Sequence, residues 1–365
     1  MAPPDPVRGV TGAPVLRESA VKDTPAALAA LLQRALAGEP GGVSSGVESR
    51  VENVIRLSGG ANMETWAFDW HSAQGARSLI LRRLPPGAAD ASSDAVLVGS
   101  IDLPTEAAVL QQAAANGVSV PTVLLVLRAE HGLGSGYIMS RERGEALPYR
   151  ILADEKYAGA RRGLAFQCGE ALAKIHGIPL AVLPPGLRDL DMDQDLDRLQ
   201  GLLDAYGNTS AVHQLALNWL RDNAPAGGAR CLVHGDFRNG NLLVDEQGLV
   251  AVLDWELTHI GYPAEDLGYI CGNVWRFGRS DKPVGGFGEY DDLLAGYRSV
   301  RGEAPTAGEL RYWEVYCALN WGLVCLTMIH MYRSGQDRSL ERAAVGRRMS
   351  ESEIDLLLLL EEPGA

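Results

Sequence analysis

The first 140 residues alternate apolar and polar positions in a way that predicts a small β-sheet interrupted by one helix. Side chains with a period of two, separated by short turns, are typical of strands. Such segments lie at 50–58, 65–70, 77–84, 123–128 and 136–140. Between the third and fourth segments, residues 104–116 have helical spacing, and Gly117 closes the helix. The predicted order is therefore β-β-β-α-β-β.

From about residue 154 the apolar positions recur every three to four residues, which predicts helices. These lie at 155–177, 192–206, 209–223, 263–275, 289–300, 307–333 and 338–360. Short strands are expected among them at 230–234, 241–245 and 249–254. Near the N-terminus, a helix at 25–37 begins after Thr24 and precedes a Gly/Ser stretch at 38–46.

These elements predict an α+β fold with two lobes: a small antiparallel β-sheet lobe and a larger, mainly helical lobe. We expect an N-terminal segment at 1–45, a small lobe that binds nucleotide at 46–140, and a helical lobe at 141–365. A cleft between two lobes is where a small ligand is expected to bind.

Composition and charge argue against several classes of partner. Lys plus Arg total 33 and Asp plus Glu total 46, a net charge of −13, whereas nucleic-acid binding requires a basic face. The five cysteines are scattered without a C-x-x-C pair, so we expect reduced thiols in a cytoplasmic protein. We recognise no signal peptide, and the apolar run at 315–331 is interpreted as a buried helix rather than a membrane span.

The most informative motif joins two carboxylates and an amide across short strands. His234-Gly235-Asp236 and Asn241 form the pattern H-G-D-x4-N, and Asp254 lies 13 positions later. Kinase-type phosphoryl transfer uses one Asp to take the proton of a substrate hydroxyl, and an Asn and a later Asp to hold Mg²⁺ against the phosphates of ATP. We predict Asp236 as the catalytic base and Asn241 and Asp254 as metal ligands. Capping of turns is the structural alternative for each of them.

The neighbours of this motif have two interpretations each. Arg238 could balance the charge of the transferring phosphoryl group, or form a local salt bridge to Glu256 or Asp254. Both stay open, and Arg238 is a catalytic candidate. Glu256 could support the metal site through water or pair with a cation. His234 is interpreted as a structural residue of the loop, because one base suffices for this chemistry.

Candidate nucleotide contacts lie in the predicted small lobe. Ser58, Gly59 and Gly60 join two strands, and paired glycines let backbone N–H groups approach phosphates, although an ordinary hairpin turn has the same sequence features. The third strand ends in Arg82 and Arg83, which alternation places on opposite faces.

Three residues of helices are expected to support the site. Glu106, early on the first helix after the sheet strands, could fix a strand cation, so that positive charge faces the α- and β-phosphates. Asp266 opens a helix behind the metal hairpin, and we expect it to accept hydrogen bonds from the loop backbone rather than to bind metal. His176 ends a helix and is interpreted as a core or helix-end histidine.

The chain resembles the aminoglycoside phosphotransferase-like kinases, which have a protein-kinase-like fold. The motifs that carry the resemblance are His234 to Asn241, Asp254-Trp255-Glu256 and the run Gly261-x-Pro263-x-x-Asp266-Leu267. It covers about residues 50–335 and implies use of ATP and Mg²⁺, with adenine bound by the backbone of a hinge near 139–143. It also implies the base and metal-ligand roles given above. Together with the strand alternation, it selects Arg82 over Arg83 as the partner of Glu106.

Within that family the chain is more similar to the kinase domains fused to acyl-CoA dehydrogenases than to antibiotic-resistance enzymes. The likeness lies in the run at 79–87 and in the Asp254-Trp255-Glu256 cluster. One departure is Arg82, because most of these kinases have a lysine there. Arginine keeps the charge, but it is bulkier and forked.

The acceptor is predicted to be a small molecule with a hydroxyl group. The segment at 275–282 is basic and aromatic, which favours an acceptor with a carboxylate or phosphate, such as a hydroxyacyl-CoA. A solvated surface loop is the alternative for this segment. An aminoglycoside is the alternative acceptor, since a polycation would suit the net negative charge of the chain.

Two rival functions predict different sequences. A pseudokinase that only binds nucleotide would have a broken catalytic set, whereas Asp236, Asn241 and Asp254 are all present. An unrelated metal-dependent hydrolase or a structural metal protein would need further His or Asp ligands at close spacing, and His234 with Asp236 is the only such pair.

Overall fold

A computed structural model describes residues 24–38, 49–59, 63–86, 99–207, 210–225 and 227–361, and its first part is a five-stranded sheet. The strands are β1 (Arg50–Gly59), β2 (Glu64–Ser72), β3 (Gly75–Leu84), β4 (Val123–Val126) and β5 (Ser135–Ser140). All pairings are antiparallel, in the spatial order β1-β2-β3-β5-β4. The predicted antiparallel sheet lobe is therefore confirmed.

Two helices pack against this sheet. Helix α1 (Pro25–Leu36) is capped by the hydroxyl of Thr24, and its Leu28 and Leu32 share an apolar cluster with strand residues such as Trp70. Burial of this leucine face attaches α1 to the small lobe, although the sequence assigned it to a separate segment at 1–45. Helix α2 (Leu103–Ala115) contributes to a second cluster, which continues into the helical lobe. The lobe limits at 46–140 and 141–365 remain predictions.

The helical lobe follows β5 and contains two short antiparallel strand pairs. Its helices are α3 (Pro148–Ala153), α4 (Ala158–Ile175), α5 (Met192–Ala205), α6 (Ala211–Asp222), α7 (Pro263–Cys271), α8 (Tyr290–Arg301), α9 (Ala307–Ser334), α10 (Leu340–Gly346) and α11 (Met349–Glu361). Its strands are β6 (Cys231–Val233), β7 (Leu242–Val244), β8 (Leu249–Val252) and β9 (His259–Gly261). Strand β6 pairs with β9, and β7 pairs with β8. The mainly helical second lobe is confirmed.

Several predicted boundaries differ from the structure for local reasons. The helix expected at 263–275 ends at Cys271, because Gly272 has an extended ψ of 135°. The helix expected at 338–360 is two helices, α10 and α11, and the bend brings Gly346 so close to α9 that a Cβ there would lie 2.7 Å from Ile329 Cβ. The short α3 and β9 were not predicted, because each is too brief to show a period.

Helices α4 and α8 cross at two glycines. A Cβ at Gly169 of α4 would overlap the carbonyl oxygen of Leu293, and one at Gly296 of α8 would overlap the carbonyl oxygen of Phe166. Both glycines are buried, and because they have no side chains the two helix backbones can approach each other closely at this crossing.

Helix α9 is the longest helix that the structure describes. By length and composition it could cross a membrane, but 56% of its apolar window is buried inside the protein. Its residues Tyr312, Trp313 and Leu319 belong to an apolar cluster formed with α5, α6 and α11. The expectation of a buried core helix matches this packing.

Candidate active site

The loop after β6 carries the predicted base, and Asp266 holds its backbone. Asp266 Oδ2 accepts a hydrogen bond from the N–H of His234 at 2.8 Å, and Oδ1 accepts one from the N–H of Gly235 at 3.0 Å. Gly235 has φ of +81°, and a Cβ there would overlap the carbonyl oxygen of Leu257, so a side chain cannot be accommodated. Asp266 therefore occupies the supporting position that the sequence predicted, at the N-terminus of α7.

A buried histidine supports Asp266 from the opposite side. His176 Nε2 lies 3.1 Å from Asp266 Oδ2, and its Nδ1 lies 3.0 Å from the hydroxyl of Tyr297. Burial alone would raise the pKa of Asp266, but the hydrogen bond and charge of His176 and the hydrogen bonds of the loop lower that pKa below its ordinary value. The core interpretation of His176 agrees with its burial.

His234 connects the two acidic loops. Its Nδ1 accepts the backbone N–H of Asp236 at 3.2 Å, so Nε2 carries the proton and donates to the carbonyl oxygen of Leu253 at 3.0 Å. Burial lowers the pKa of His234 and favours this neutral form. Its ring also packs 4.7 Å from that of Trp255. These contacts match the structural role predicted from the sequence.

The carboxylate of Asp236 accepts three side-chain hydrogen bonds. Oδ1 accepts from Arg238 Nε at 2.9 Å and from the hydroxyl of Tyr269 at 2.8 Å. Oδ2 accepts from Asn241 Nδ2 at 2.5 Å. Burial raises the pKa of Asp236, and Arg238 and Tyr269 offset part of that rise. Because Asn241 uses its amide nitrogen here, its amide oxygen is left for another partner.

Arg238 pairs with Asp236 and not with the acids that the sequence suggested. The expected salt bridge to Glu256 or Asp254 is wrong, because Arg82 pairs with both of those carboxylates. The guanidinium carbon of Arg238 also lies 4.5 Å from the ring centroid of Trp275. A role of Arg238 at the transferring phosphoryl group remains a prediction.

Arg82 joins the two lobes. Its Nε lies 3.3 Å from Glu106 Oε2 on α2, and its Nη2 lies 2.8 Å from Asp254 Oδ1 and 2.7 Å from Glu256 Oε2 in the helical lobe. Arg83 lies on the opposite face of β3 and bonds to Glu64 and to the carbonyl oxygen of Leu133. The structure thus brings Arg82, and not Arg83, to Glu106.

Three acidic side chains lie close together around Arg82, where the two lobes meet. Burial raises the pKa of Glu106 although Arg82 opposes the rise. Burial and then the neighbouring Asp254 raise the pKa of Glu256 to about 7. Asp254 itself has φ of +62°, a conformation that is uncommon for a residue with a side chain. Trp255, fully buried beside it, anchors this strained turn through a hydrogen bond to the carbonyl oxygen of Val252.

The predicted phosphate loop is only partly described. Ser58 and Gly59 end β1 and pair with Thr65 and Glu64 of β2. Gly60 lies outside the described residues. In the predicted hinge at 139–143, the N–H of Arg141 donates a hydrogen bond to the carbonyl oxygen of Ser78 at 3.0 Å.

A cavity of about 450 Å³ opens beside Asp236 and Asp254, both of which line it. Five aromatic side chains form much of its wall: Tyr269, Trp275, Trp313, Tyr316 and Trp321. Apolar residues of α9 and α10, such as Val324, Met328 and Val345, complete this wall. Asp254 and Asp236 therefore line one open cavity that is large enough for a small acceptor molecule.

The cations of the cavity are not those that the sequence predicted. Of the segment at 275–282 only Trp275 lines the cavity. Arg276 instead donates to the carbonyl oxygen of Cys271, and Lys282 pairs with Glu289 on the surface. The basic residues of this segment do not line the cavity beside Asp236, so their contact with the acceptor remains a prediction that this cavity does not support.

Arg188 and Arg198 line the cavity in place of that segment, and both pair with Asp195, at 3.3 and 2.9 Å. Sequence reasoning missed these arginines because no local motif contains them. It also missed Tyr269, although residues three apart on a helix lie on the same face, so the spacing from Asp266 could have indicated it.

A metal ion at this site would be held by few protein groups. Among the residues described, no three His, Cys, Asp or Glu side chains gather as a metal cluster. Asn241 and Asp254 offer oxygen atoms only, and Mg²⁺ commonly takes one or two protein ligands together with phosphate and water. The donor set therefore fits a magnesium–nucleotide complex better than a metal bound by protein alone.

Comparisons with known proteins found similar sequences along most of this chain. A model of the phosphotransferase enzyme family matches residues 53–302. Mouse acyl-CoA dehydrogenase family member 10 is 28% identical over 257 residues, which cover 68% of this chain and 22% of that protein. Chicken acyl-CoA dehydrogenase family member 11 is 27% identical over 265 residues, covering 66% of this chain and 32% of that protein. The chain thus spans between a fifth and a third of the length of these relatives.

Solved structures share the fold. A Ralstonia eutropha protein classed as an aminoglycoside phosphotransferase aligns with a TM-score of 0.70 at 18% identity, over 92% of this chain and 99% of its own. A thermostable mutant of the aminoglycoside phosphotransferase APH(4)-Ia, in a ternary complex with AMP-PNP and hygromycin B, aligns with a TM-score of 0.54 at 18% identity, over 84% and 94% of the two chains.

Proposed function

As a member of the phosphotransferase enzyme family, the chain transfers phosphoryl groups to hydroxyl groups, and we propose that its donor is ATP with Mg²⁺ and its acceptor a hydroxyacyl-CoA or a related hydroxy acid. The observation that carries the proposal is the cavity that Asp236 and Asp254 share, with Arg82 joining Asp254 to Glu106 across the lobes. We therefore propose that base, metal ligand and phosphate-binding cation act in one cleft, since Arg82 contacts Asp254 at its edge.

In the proposed reaction, Asp236 accepts the proton of the acceptor hydroxyl. The acceptor oxygen forms a bond to the γ-phosphorus, while the bond between that phosphorus and the bridging oxygen breaks and its electron pair leaves with ADP. Asn241 and Asp254 would hold Mg²⁺, which supplies positive charge beside the phosphates. Positioning and charge account for most of the rate in such a mechanism.

The nucleotide part of the proposal rests on the small lobe and on the fold. Arg82 is directed into the cleft by the pleat of β3, and Glu106 holds it there from α2. Ser58 and Gly59 end β1, where a backbone loop could approach phosphates, and Gly60 of the same predicted loop lies outside the described residues. The complex of APH(4)-Ia with AMP-PNP supports an ATP-type donor by analogy of fold.

The acceptor part rests on the chemistry of the cavity wall. Five aromatic rings and the apolar side chains of α9 favour an acceptor with an apolar body. Arg188 and Arg198 also line the cavity and could contact an anionic group on that acceptor, although Asp195 already pairs with both of them; Glu265, an acid of the lining, is likewise paired with His259 at 3.0 Å. The names of the relatives contain acyl-CoA, which supports a thioester of this kind.

An aminoglycoside is the second candidate acceptor, favoured by the fold neighbour that binds hygromycin B and by the net charge of −13. An aminoglycoside would place charged ammonium groups against a wall that is largely aromatic and apolar, and desolvation of those charges is costly. The apolar wall is therefore the feature that favours the hydroxy acid, since Asp195 already neutralises Arg188 and Arg198.

Release of ADP from MgATP, measured with a panel of hydroxyl compounds that includes a 4-hydroxyacyl-CoA and kanamycin, tests the proposal. We expect turnover with the thioester and little with the antibiotic. Turnover with kanamycin alone would overturn the acceptor assignment. Normal ATP binding without turnover on any acceptor would instead support a pseudokinase. Asp254→Ala is expected to abolish the Mg²⁺ dependence of ATP binding in calorimetric titrations, and binding that stays Mg²⁺-dependent would contradict the metal-ligand role.

A further inference from the structure

The proposed base has one acceptor position left. A carboxylate offers about four lone-pair sites, two on each oxygen. Arg238 and Tyr269 occupy both sites of Asp236 Oδ1, at 2.9 and 2.8 Å. Asn241 occupies one site of Oδ2, at 2.5 Å. The remaining lone pair is therefore on Oδ2, and it is where an acceptor hydroxyl can deliver its proton.

The two donors to Oδ1 are fixed by one aromatic ring. Trp275 is only 8% exposed, and the guanidinium carbon of Arg238 lies 4.5 Å from its ring centroid. The ring of Tyr269 packs against the same indole, with centroids 5.4 Å apart at an interplanar angle of 43°. Trp321 also contacts Trp275 edge to face, with ring centroids 5.5 Å apart. The packing restricts both donors, so Oδ1 stays saturated.

Tyr269 reaches Asp236 from a rigid element. It lies on α7, about two helical turns after Tyr262 and Pro263, which begin the helix, and it follows Asp266 by three positions. Asp266 holds the backbone of the base loop, and Tyr269 holds the side chain of the base, so one helix fixes both. A carboxylate can only accept, so the hydroxyl of Tyr269 must be the donor.

We infer that Tyr269 is a positioning residue, which together with Arg238 saturates Oδ1 of Asp236 and so presents the free lone pair of Oδ2 to the acceptor hydroxyl. The inference rests on the proposed function, because it assigns the proton of the acceptor to a particular oxygen. Tyr269 lines the acceptor cavity, but in this role it contacts the base and not the reacting atoms. Without its hydroxyl, Oδ1 regains a free site and the carboxylate can present either oxygen.

Tyr269→Phe tests the inference, because it keeps the ring against Trp275 and removes one hydrogen bond. We expect kcat to fall about 10- to 100-fold, the range set by the loss of one hydrogen bond to a charged group. KM for ATP should stay close to the wild-type value, since Tyr269 touches neither the metal ligands nor Arg82. The urea midpoint of unfolding should fall, because the hydrogen bond is present in the folded protein before any acceptor binds, and it should fall by a similar amount in a variant that loses the same kind of hydrogen bond elsewhere. A loss of kcat that exceeds the loss in such a variant is a result that a merely structural residue would not produce.

Tyr290→Phe is a matched control. The hydroxyl of Tyr290 also donates to a carboxylate, Glu314 Oε1 at 2.7 Å, but that carboxylate is not the base. We expect its kcat to equal that of the wild type. If Tyr269→Phe turns over like Tyr290→Phe while the wild type is active, the inference is wrong and the proposed function stands. If the wild type phosphorylates no hydroxyl compound in the panel, the proposed function fails, and the inference fails with it.

Discussion

Replacement of Asp266 by asparagine should show how strongly one buried carboxylate organises the site. Asp266 is fully buried and accepts three hydrogen bonds, from the N–H groups of His234 and Gly235 and from His176 Nε2. Asparagine has the same shape, but one of its two terminal atoms is an NH₂ group. Whichever way the amide is turned, this group must face a donor, and at least one buried N–H loses its partner.

The size of the effect follows from those three contacts. A buried donor left without a partner costs about 1–3 kcal/mol, and contacts to a charged acceptor are at the upper end of that range. We expect Asp266→Asn to lower the free energy of unfolding by about 2–4 kcal/mol, a large share of the roughly 5–15 kcal/mol typical of a folded domain. The loop that carries Asp236 should shift as well, and a displacement of about 1 Å at a reacting group can lower kcat by about 100-fold.

Asp245→Asn is the matched control for this change. Asp245 also accepts two backbone N–H groups, those of Gln247 and Gly248, but it lies in an exposed turn between β7 and β8. Asparagine suits such a turn, so the control should change stability by less than about 0.5 kcal/mol. Urea unfolding followed by tryptophan fluorescence, with ADP release at pH 7, measures both quantities. Equal stability losses in the two variants would refute the bracing role of Asp266.

The other predictions concern the base, a buried ion pair and a helix crossing. Asp236→Asn should lower kcat by about 10²- to 10⁴-fold with little change in KM for ATP, because proton acceptance acts at the chemical step, and wild-type turnover would show that the base is another group. Burial lowers the pKa of His259, but Glu265, at 3.0 Å, outweighs burial and raises it. A raised folded-state pKa stabilises fully below the unfolded value of about 6.5 and loses its effect as the pH rises through the folded value. Glu265→Gln should therefore lower the urea midpoint more at pH 6 than at pH 9, and an equal loss at both pH values would contradict the pairing. Gly169→Ala should destabilise by about 1–3 kcal/mol through overlap with α8, whereas Gly163→Ala on the same helix, with no atom within 4 Å, should stabilise by up to about 1 kcal/mol; thermal melting that shows the same sign for both would refute the close crossing.

Local motifs predicted the part of the site that consecutive residues build. The pattern from His234 to Asn241 places base and amide in one loop, and the structure joins Asp236 and Asn241 by a hydrogen bond. Strand alternation directed Arg82 and Arg83 to opposite faces, and the structure keeps them apart on β3. These features depend on backbone period and turn chemistry, which are visible in a single sequence.

Features that depend on packing between distant segments were not predictable in the same way. The wall of the acceptor cavity comes from α9, which has no chemical motif. The basic segment at 275–282 turns away because Phe277 and Gly278 both adopt positive φ, of 48° and 84°, and reverse the chain. Arg279 and Lys282 then pair with Asp281 and Glu289 on the surface, while Arg188 and Arg198 reach the cavity from a different part of the chain.

The contacts of Arg82 give a structural reason for an arginine at a position where a lysine is expected in most of these kinases. Arg82 uses Nε toward Glu106 of the small lobe and Nη2 toward Asp254 and Glu256 of the helical lobe, so separate nitrogens of one planar group address the two lobes. A lysine has a single nitrogen and could not hold this forked arrangement with fixed geometry. The three carboxylates would repel one another if the cation left; burial and then the charge of Asp254 already raise the pKa of Glu256 to about 7, with Arg82 opposing the rise. An arginine at this position is therefore matched to the acid Glu256, which follows the proposed metal ligand Asp254, and Arg82 and Glu256 should be exchanged together rather than singly.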